Sequence, residues 1–304
     1  MRKLARPRVT GRRPSGPFWV VYDGVPTTRF KDDLGRDLVL FAPPRRVVSL
    51  VPSDTYSLVA LGAGDRVIGR TRYCHDAQDA AVVGGTKDVD VDAVLALSPD
   101  FIIANQEENA RPALEKLAET RIPMLVSLPR RAADGVAHVA RLARVLGVER
   151  AAADLTRRGY ALFKDAPPAP RLQIATLIWN EPLMTMNADT FGSDMLAAAG
   201  AANVFSDRLR LYPLAADLGK MTPAENQGRD VRYPRITLDE LAAKQPDVVL
   251  LPDEPYAWKD DEVAAIAAGV PAAKVVRTVG KDLFWYGAWT VDALPRLREL
   301  IASL

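Results

Sequence analysis

One block of this chain occurs twice. Residues 89–103, running Val-Asp-Val-Asp-Ala-Val-Leu-Ala-Leu-Ser-Pro-Asp-Phe-Ile-Ile, return in outline at 234–250. In each copy a carboxylate (Asp92, then Asp239) stands seven residues before a Pro-Asp pair (Pro99-Asp100, then Pro246-Asp247), and an apolar run follows. The copies keep step, since 239 − 92 and 246 − 99 are both 147. Proline disfavours helix at the residue before it, so each copy reads as a short helix that stops there, followed by a buried parallel strand of β-branched residues. Two further echoes flank the block. Pro44-Arg45-Arg46-Val47-Val48-Ser49-Leu50 resembles Pro170-Arg171-Leu172-Gln173-Ile174-Ala175-Thr176-Leu177, and Asp54-Thr55-Tyr56 resembles Asp189-Thr190-Phe191. Three matching blocks in one order predict two similar α/β lobes, and a cleft between lobes is where ligands bind.

At 304 residues the chain has room for two domains of roughly 150 residues each. The net charge is +2, and the body carries no long basic or acidic run, so nucleic acid is not an expected partner. Basic residues do gather at the start (Arg2, Lys3, Arg6, Arg8, Arg12, Arg13), where a solvated tail is expected. No apolar run approaches the roughly 18 residues of a membrane span. Phe18 to Val21 is too short for the apolar region of a secretory leader, about 7–15 residues. As written, the chain is expected in the cytoplasm, or in the periplasm if its start site is misassigned. Cys74 is the single cysteine, so no internal disulfide forms.

Residues 18–22 and 39–41 read as strands around the turn Asp32-Asp33-Leu34-Gly35-Arg36, a hairpin that with the tail makes up residues 1–43. From Arg45 onward strands and helices alternate, the pattern of a parallel sheet covered by helices. The first lobe spans 44–147, with strands at 47–51, 67–69, 101–104 and 124–127, and helices at 55–61, 91–97, 111–120 and 134–146. A helical pattern at 149–164, interrupted only by Gly159, ends at Ala166-Pro167-Pro168-Ala169-Pro170. This stretch, within 148–169, is the expected rigid connector. The second lobe spans 170–304, with strands at 172–179, 183–186, 203–205 and 274–279, helices at 193–199, 261–268 and 291–302, and the repeat block between them. The irregular stretch 206–233 reads either as a flap beside the cleft or as a mobile insertion.

Several motifs together carry a family likeness. Asp32-Asp33-Leu34-Gly35-Arg36, Pro43 through Ser53, Leu61-Gly62, Gly84-Gly85-Thr86-Lys87, Pro99 through Ala104, Asp189-Thr190-Phe191 through Gly200, Asn203-Val204-Phe205 and Tyr233-Pro234-Arg235-Ile236 form an ordered set over about residues 30–300. The set resembles the substrate-binding proteins for cobalamin, haem and iron-siderophores. Trp179 to Met184 and Trp285-Tyr286-Gly287 are most similar to the cobalamin-binding branch. The resemblance implies two Rossmann-like lobes with mainly parallel sheets, joined by a single long backbone helix. It also implies a corrinoid such as cobalamin as ligand, a monomer, and an ABC permease as partner, met at the lobe-tip carboxylates Asp92 and Asp239. Family members usually carry Glu at those two positions and at Tyr56; Asp keeps the charge with a shorter reach.

Ligands of α/β sheets sit beyond the carboxyl ends of strands, close to helix N-termini. Ser53 and Asp54 follow the first strand and read either as helix caps or as ligand contacts. Tyr73, Cys74 and His75 follow the second. His75 and a Cys74 thiolate are candidate axial metal donors, although adjacent side chains rarely face one metal. His138 reads as helix surface or core. Asn105 and Glu108 lie in the loop after residues 101–104, where amides either grip a ligand or cap the next helix. Trp179 ends the first strand of the second lobe, where its ring meets either a flat macrocycle or the core. Tyr256 closes the matching strand, and Trp285 and Tyr286 follow the last one. A siderophore pocket would instead recruit Arg70, Arg72, Arg130 and Arg131. No Ser-His-Asp set, H-x-x-x-H, C-x-x-C or phosphate-cradling loop occurs, so a non-catalytic binding protein is expected. Haem or an iron-siderophore as ligand, or a regulatory or scaffold role in the cytoplasm, are the alternatives.

Overall fold

The computed structural model describes residues 20–22 and 25–304. The basic tail, and Phe18 and Trp19 of the first expected strand, fall outside these residues. Strands β1 (Val20–Tyr22), β2 (Val25–Lys31) and β3 (Asp37–Leu40) form a small antiparallel sheet in that order. The hairpin around Asp32–Arg36 therefore pairs β3 with β2, and not with the expected strand at 18–22. The polar run Thr27-Thr28-Arg29 hid β2 from a hydrophobicity reading, although Thr28 is buried. Asp32 holds the turn by accepting from the backbone of Leu34 (3.0 Å) and Arg36 (2.9 Å). Gly35 supplies the left-handed φ of +77° that the turn needs.

The first lobe then follows in chain order. It comprises β4 (Val47–Ser49), α1 (Pro52–Ala60), β5 (Val67–Arg70), β6 (Ala81–Val82), α2 (Val91–Ala96), β7 (Phe101–Asn105), α3 (Arg111–Ala118), β8 (Met124–Ser127) and α4 (Ala132–Leu146). Its sheet is parallel throughout, in the order β6-β5-β4-β7-β8. Helix α5 (Glu149–Ala161) leads to the second lobe. There follow β9 (Leu172–Thr176), α6 (Phe191–Ala199), β10 (Ala201–Asn203), α7 (Leu214–Asp217), α8 (Leu238–Ala243), β11 (Val248–Pro252), α9 (Asp260–Gly269), β12 (Lys274–Thr278), α10 (Gly280–Phe284) and α11 (Ala288–Ser303). The second sheet is also parallel, in the order β10-β9-β11-β12. It repeats the order β5-β4-β7-β8 of the first.

The duplicated block has the same backbone in both lobes. Helices α2 and α8, and strands β7 and β11, have identical lengths and boundaries offset by 147 residues. Between helix and strand, Ser98 (φ +48°) and Gln245 (φ +47°) both adopt the left-handed conformation that ends a helix before its proline. The Asp of each Pro-Asp pair ties its strand to the neighbouring one. Asp100 accepts from the backbone N–H of Arg45 (2.8 Å) and Arg46 (2.9 Å), and Asp247 accepts from Gln173 (2.7 Å). The echo between Asp54-Thr55-Tyr56 and Asp189-Thr190-Phe191 is not of this kind. Asp54 lies within the first turn of α1, whereas Asp189 precedes Thr190, the N-cap of α6. The strand expected at 183–186 reduces to isolated bridges from Met184 to Trp179 and Arg235.

The chain crosses between lobes through α5. Ala152 lies in the core of the first lobe, and Leu162 and Phe163, just beyond the helix, pack on that of the second. At about 1.5 Å per residue, its 13 residues span about 20 Å. Gly159, which looked like a flaw, lets α5 lie tightly on its neighbours. A Cβ there would stand 2.7 Å from a methyl of Val136 in α4 and 3.3 Å from one of Val291 in α11. The lobes are thus joined by a packed layer of α4, α5 and α11. Val51 and Ala132 of the first lobe enter the core of the second, and Ala288 of the second enters that of the first. No helix among the described residues is long and apolar enough to cross a membrane.

Candidate functional site

The loops that follow the parallel strands converge on the junction of the lobes, as the topology requires. At its base lies a polar network that sequence reasoning missed. Asp54, fully buried at the start of α1, accepts from the Tyr286 hydroxyl (2.7 Å) and contacts Nε2 of buried His138 (2.6 Å). Arginine can only donate, so Arg141 Nη2 donates to His138 Nδ1 (2.6 Å), and the imidazole proton on Nε2 faces Asp54. The Tyr286 oxygen also meets Ser127 Oγ (2.8 Å) and Asn105 Nδ2 (3.2 Å). Burial and the Asp54 carboxylate push the Tyr286 pKa well above its usual 10, which keeps the hydroxyl a donor. On the outer end, Arg141 pairs with Asp33 of the hairpin (2.6 Å). Burial alone would raise the Asp33 pKa, but bonds from Arg141 and the Leu128 backbone hold it below the usual value.

Three residues expected to meet ligand lie in or beside this network. Ser53, Asn105 and Tyr286 are buried. Asn105 Oδ1 accepts from the backbone N–H of Glu107 (2.7 Å) and Glu108 (3.0 Å), which closes the turn after β7, while α3 starts at the N-cap Ala110 with no side-chain cap. Ser53 lies beside the Tyr286 hydroxyl, and its carbonyl accepts from Ser57 (2.8 Å). Their side chains face inward because a buried tyrosine hydroxyl needs several partners. Nothing in the local sequence shows on which side of the loop it will lie. The signal available was the isolated His138 in an apolar helix face.

The aromatic candidates form two groups. Trp179, 43% exposed, stands at the end of β9 with its ring 5.2 Å from that of Tyr256, beyond β11. Tyr256 packs in turn on Trp258 (5.0 Å) and donates to Glu262 (2.6 Å). Asn180 bonds the same carboxylate oxygen (3.0 Å), so the wall is held from behind. A cavity of about 270 Å3 lined by Asn180, Glu181, Leu183 and Glu262 opens beside it. A larger one, about 460 Å3, lies between Phe30 and helices α4 and α5, away from the carboxyl ends of both sheets. Trp285 is largely buried in the second group, edge-on to Tyr56 (6.4 Å) and Trp289 (5.5 Å), with the Lys281 ammonium 4.4 Å from its ring centre. Glu254 bonds Trp285 as well, and burial lifts its pKa.

Across the junction, Tyr73 is 53% exposed after β5, beside the Arg72–Asp88 pair (2.7 Å). Glu108 is open to solvent, yet surrounding protein desolvates it and raises its pKa against the pull of Lys87. Cys74 and His75 diverge. The thiol is buried between Thr55 (3.1 Å) and Thr71 (3.2 Å), while His75 is exposed. Among the described residues no three His, Cys, Asp or Glu side chains gather as a metal site. Asp92 and Asp239 are both exposed and occupy the second position of α2 and α8, one on each lobe.

This geometry matches known proteins. The family model described as periplasmic binding protein matches residues 47–251, more than half of the chain. The chain belongs to the periplasmic binding protein family. The vitamin B12-binding protein of Pectobacterium carotovorum subsp. carotovorum (strain PC1) is 26% identical over 255 residues, covering 80% of this chain and 83% of that one. The one from Photorhabdus laumondii is 24% identical over 223 residues, covering 70% and 72%. Among solved structures, the periplasmic vitamin B12 binding protein of Vibrio cholerae has a TM-score of 0.64 at 20% identity, covering 86% of this chain and 98% of that one. A periplasmic haem-binding protein from Roseiflexus sp. RS-1 scores 0.64 at 18%, covering 85% and 98%. This periplasmic binding protein is therefore a substrate-binding protein of the ABC importer type, and not an enzyme. Members of the family are periplasmic, so the cytoplasmic expectation finds no support.

Proposed function

We propose that this periplasmic binding protein holds a corrinoid such as cobalamin between its lobes and delivers it, as a monomer, to an ABC permease. The observation that carries the reading is the exposed Trp179 ring packed on the half-buried Tyr256 just beyond the ends of the adjacent strands β9 and β11. Rigid rings at a strand end offer a large apolar face to a flat macrocycle at little entropic cost. Tyr73 and Glu108 line the approach and the largely buried Trp285 backs it, while Ser53, Asn105 and Tyr286 set the angle between the lobes from beneath. Cobalamin carries its own lower ligand to cobalt, so neither Cys74 nor His75 is required as a donor.

The test is an absorbance titration of the purified protein with cobalamin, cobinamide and haem. Saturable binding of a corrinoid is expected. Trp179→Ala is expected to weaken it about five-fold or more, since a specific aromatic contact contributes about 1 kcal/mol. Tight haem binding with no corrinoid binding replaces this reading by the haem one, which the haem-binding structural neighbours favour.

Asp92 and Asp239 are assigned to permease docking because the repeat places one at the same position of each lobe. Charge reversal at both (D92K with D239K) is expected to abolish co-purification with the permease while leaving ligand affinity unchanged. Undiminished co-purification rejects the assignment.

A further inference from the structure

The stretch between Ser206 and Tyr233 is neither loose nor separate from the cleft. Its base is pinned to the second lobe by Asp217, whose buried carboxylate accepts from Arg208 (3.0 Å), the Leu211 backbone (2.8 Å) and the Arg235 backbone (2.7 Å). Its return arm runs beside the loop before α6, where Asn187 donates to the Arg232 carbonyl (2.9 Å) and Thr185 to that of Pro234 (3.0 Å). From this arm two side chains reach the first lobe. Arg232 pairs with the Glu107 carboxylate at 2.5 Å and, on its other side, with Asp230 at 2.6 Å. The Tyr233 hydroxyl donates to the same Glu107 oxygen region at 3.0 Å. The guanidinium is 11% exposed and the Glu107 side chain 23%, so salt screens this pair weakly. Lys87 meets the Glu107 carbonyl and steadies the loop from the first-lobe side. Beside it, Arg130 of the first lobe pairs with Asp189 of the second (2.6 Å).

Glu107 neighbours Glu108 in the loop that ends β7, so these bonds close over one flank of the proposed ligand site. We propose that residues 206–233 are a strap across the cleft, fastened by Arg232 and Tyr233 to Glu107, and that its release governs ligand exchange. The bonds that join the lobes differ in kind. The Asp54 network is buried on all sides and built into helices α1 and α4. The strap contact is made by two adjacent side chains to a single carboxylate in a loop. Opening it breaks one charged pair and one hydrogen bond and leaves all three groups within reach of water, the mark of a contact that opens locally. The inference depends on the cleft being the ligand site, so it is tested by one measurement without ligand and one with it.

Glu107→Gln keeps the shape and removes the charge. In the free variant, amide hydrogen exchange within 206–233 and 106–109 is expected to rise about ten-fold over the wild type, the equivalent of losing one charge-assisted bond. Exchange in β4, β7 and β11 is expected to stay unchanged, which shows that the variant is folded. Release of cobinamide, followed by stopped-flow absorbance, is expected to quicken by a similar factor, and Tyr233→Phe to quicken it less. Unchanged exchange in the strap overturns the fastening. Faster exchange with unchanged release overturns its control of the ligand. A wild type that binds no cobinamide sinks the corrinoid reading, and the exchange measurement still decides whether the strap is fastened by Glu107.

Discussion

Asp54→Ala is expected to lower folding stability by about 2–4 kcal/mol, the cost of leaving two buried donors, His138 Nε2 and the Tyr286 hydroxyl, without their shared acceptor. The carboxylate has no exposed surface and binds groups from both lobes, His138 in α4 and Tyr286 before α11. Without it, the His138 Nε2 proton and the Tyr286 hydroxyl both lose their acceptor, and Arg141 still holds the ring so that it cannot flip to another. Tyr286→Phe is expected to cost about 1–3 kcal/mol, since Ser127 and Asn105 lose a partner while Asp54 keeps His138. The double variant Asp54→Ala, Tyr286→Phe is expected to cost less than the sum, because the two residues share one network. Urea unfolding followed by tryptophan fluorescence measures all three. An Asp54→Ala variant within 1 kcal/mol of the wild type by the same assay means that the network contributes little.

Gly287→Ala is expected to cost about 2–4 kcal/mol, from backbone strain and a lost bond between the lobes. The residue joins α10 to α11 at φ +83° and ψ −138°, a region that side chains with a Cβ avoid. The added methyl would also stand 2.3 Å from the Ser57 hydroxyl, which accepts from the Ala288 backbone N–H at 3.0 Å and donates to the Ser53 carbonyl at 2.8 Å. Moving that hydroxyl breaks the link from α1 to α11. Gly219→Ala is the comparison, since Gly219 has a similar φ of +71° and nothing within 4 Å of the added Cβ. Equal losses of stability in the two variants, read from thermal or urea unfolding, refute the packing argument.

Much of the fold was legible because its signals are local. Pro99 and Pro246 end helices wherever they occur, and the β-branched runs after them have few conformations besides a buried strand. For that reason α2 and β7 fell within a residue or two of the expected limits, and α8 and β11 fell inside the expected repeat block. The missed elements had weaker local signals. Strand β2 is polar on one face, and its partner was set by the turn. The run 183–186 has a strand's composition but lies against the stretch before α8 and not in the sheet. Among the site residues, Trp179 and Tyr256 were brought together as adjacent strand ends require.

The sequence by itself determined that there are two lobes, that their sheets are parallel, and that the junction between them carries aromatic rings. These follow from periodicity, from proline and glycine, and from a repeat whose offset is preserved residue for residue. Tertiary structure alone decided which polar groups face the ligand site and which are closed off. Asn105 and Glu108 stand three residues apart in one loop, yet the first is buried beneath Tyr286 and the second is open to solvent. Asp54, His138, Arg141 and Tyr286 are spread over more than 230 residues and meet only when α1, α4 and α11 pack. The same holds for Glu107 with Arg232 and Tyr233. The reason is physical: a buried polar group must find its partners wherever packing brings them, and no local pattern records contacts made between distant parts of the chain.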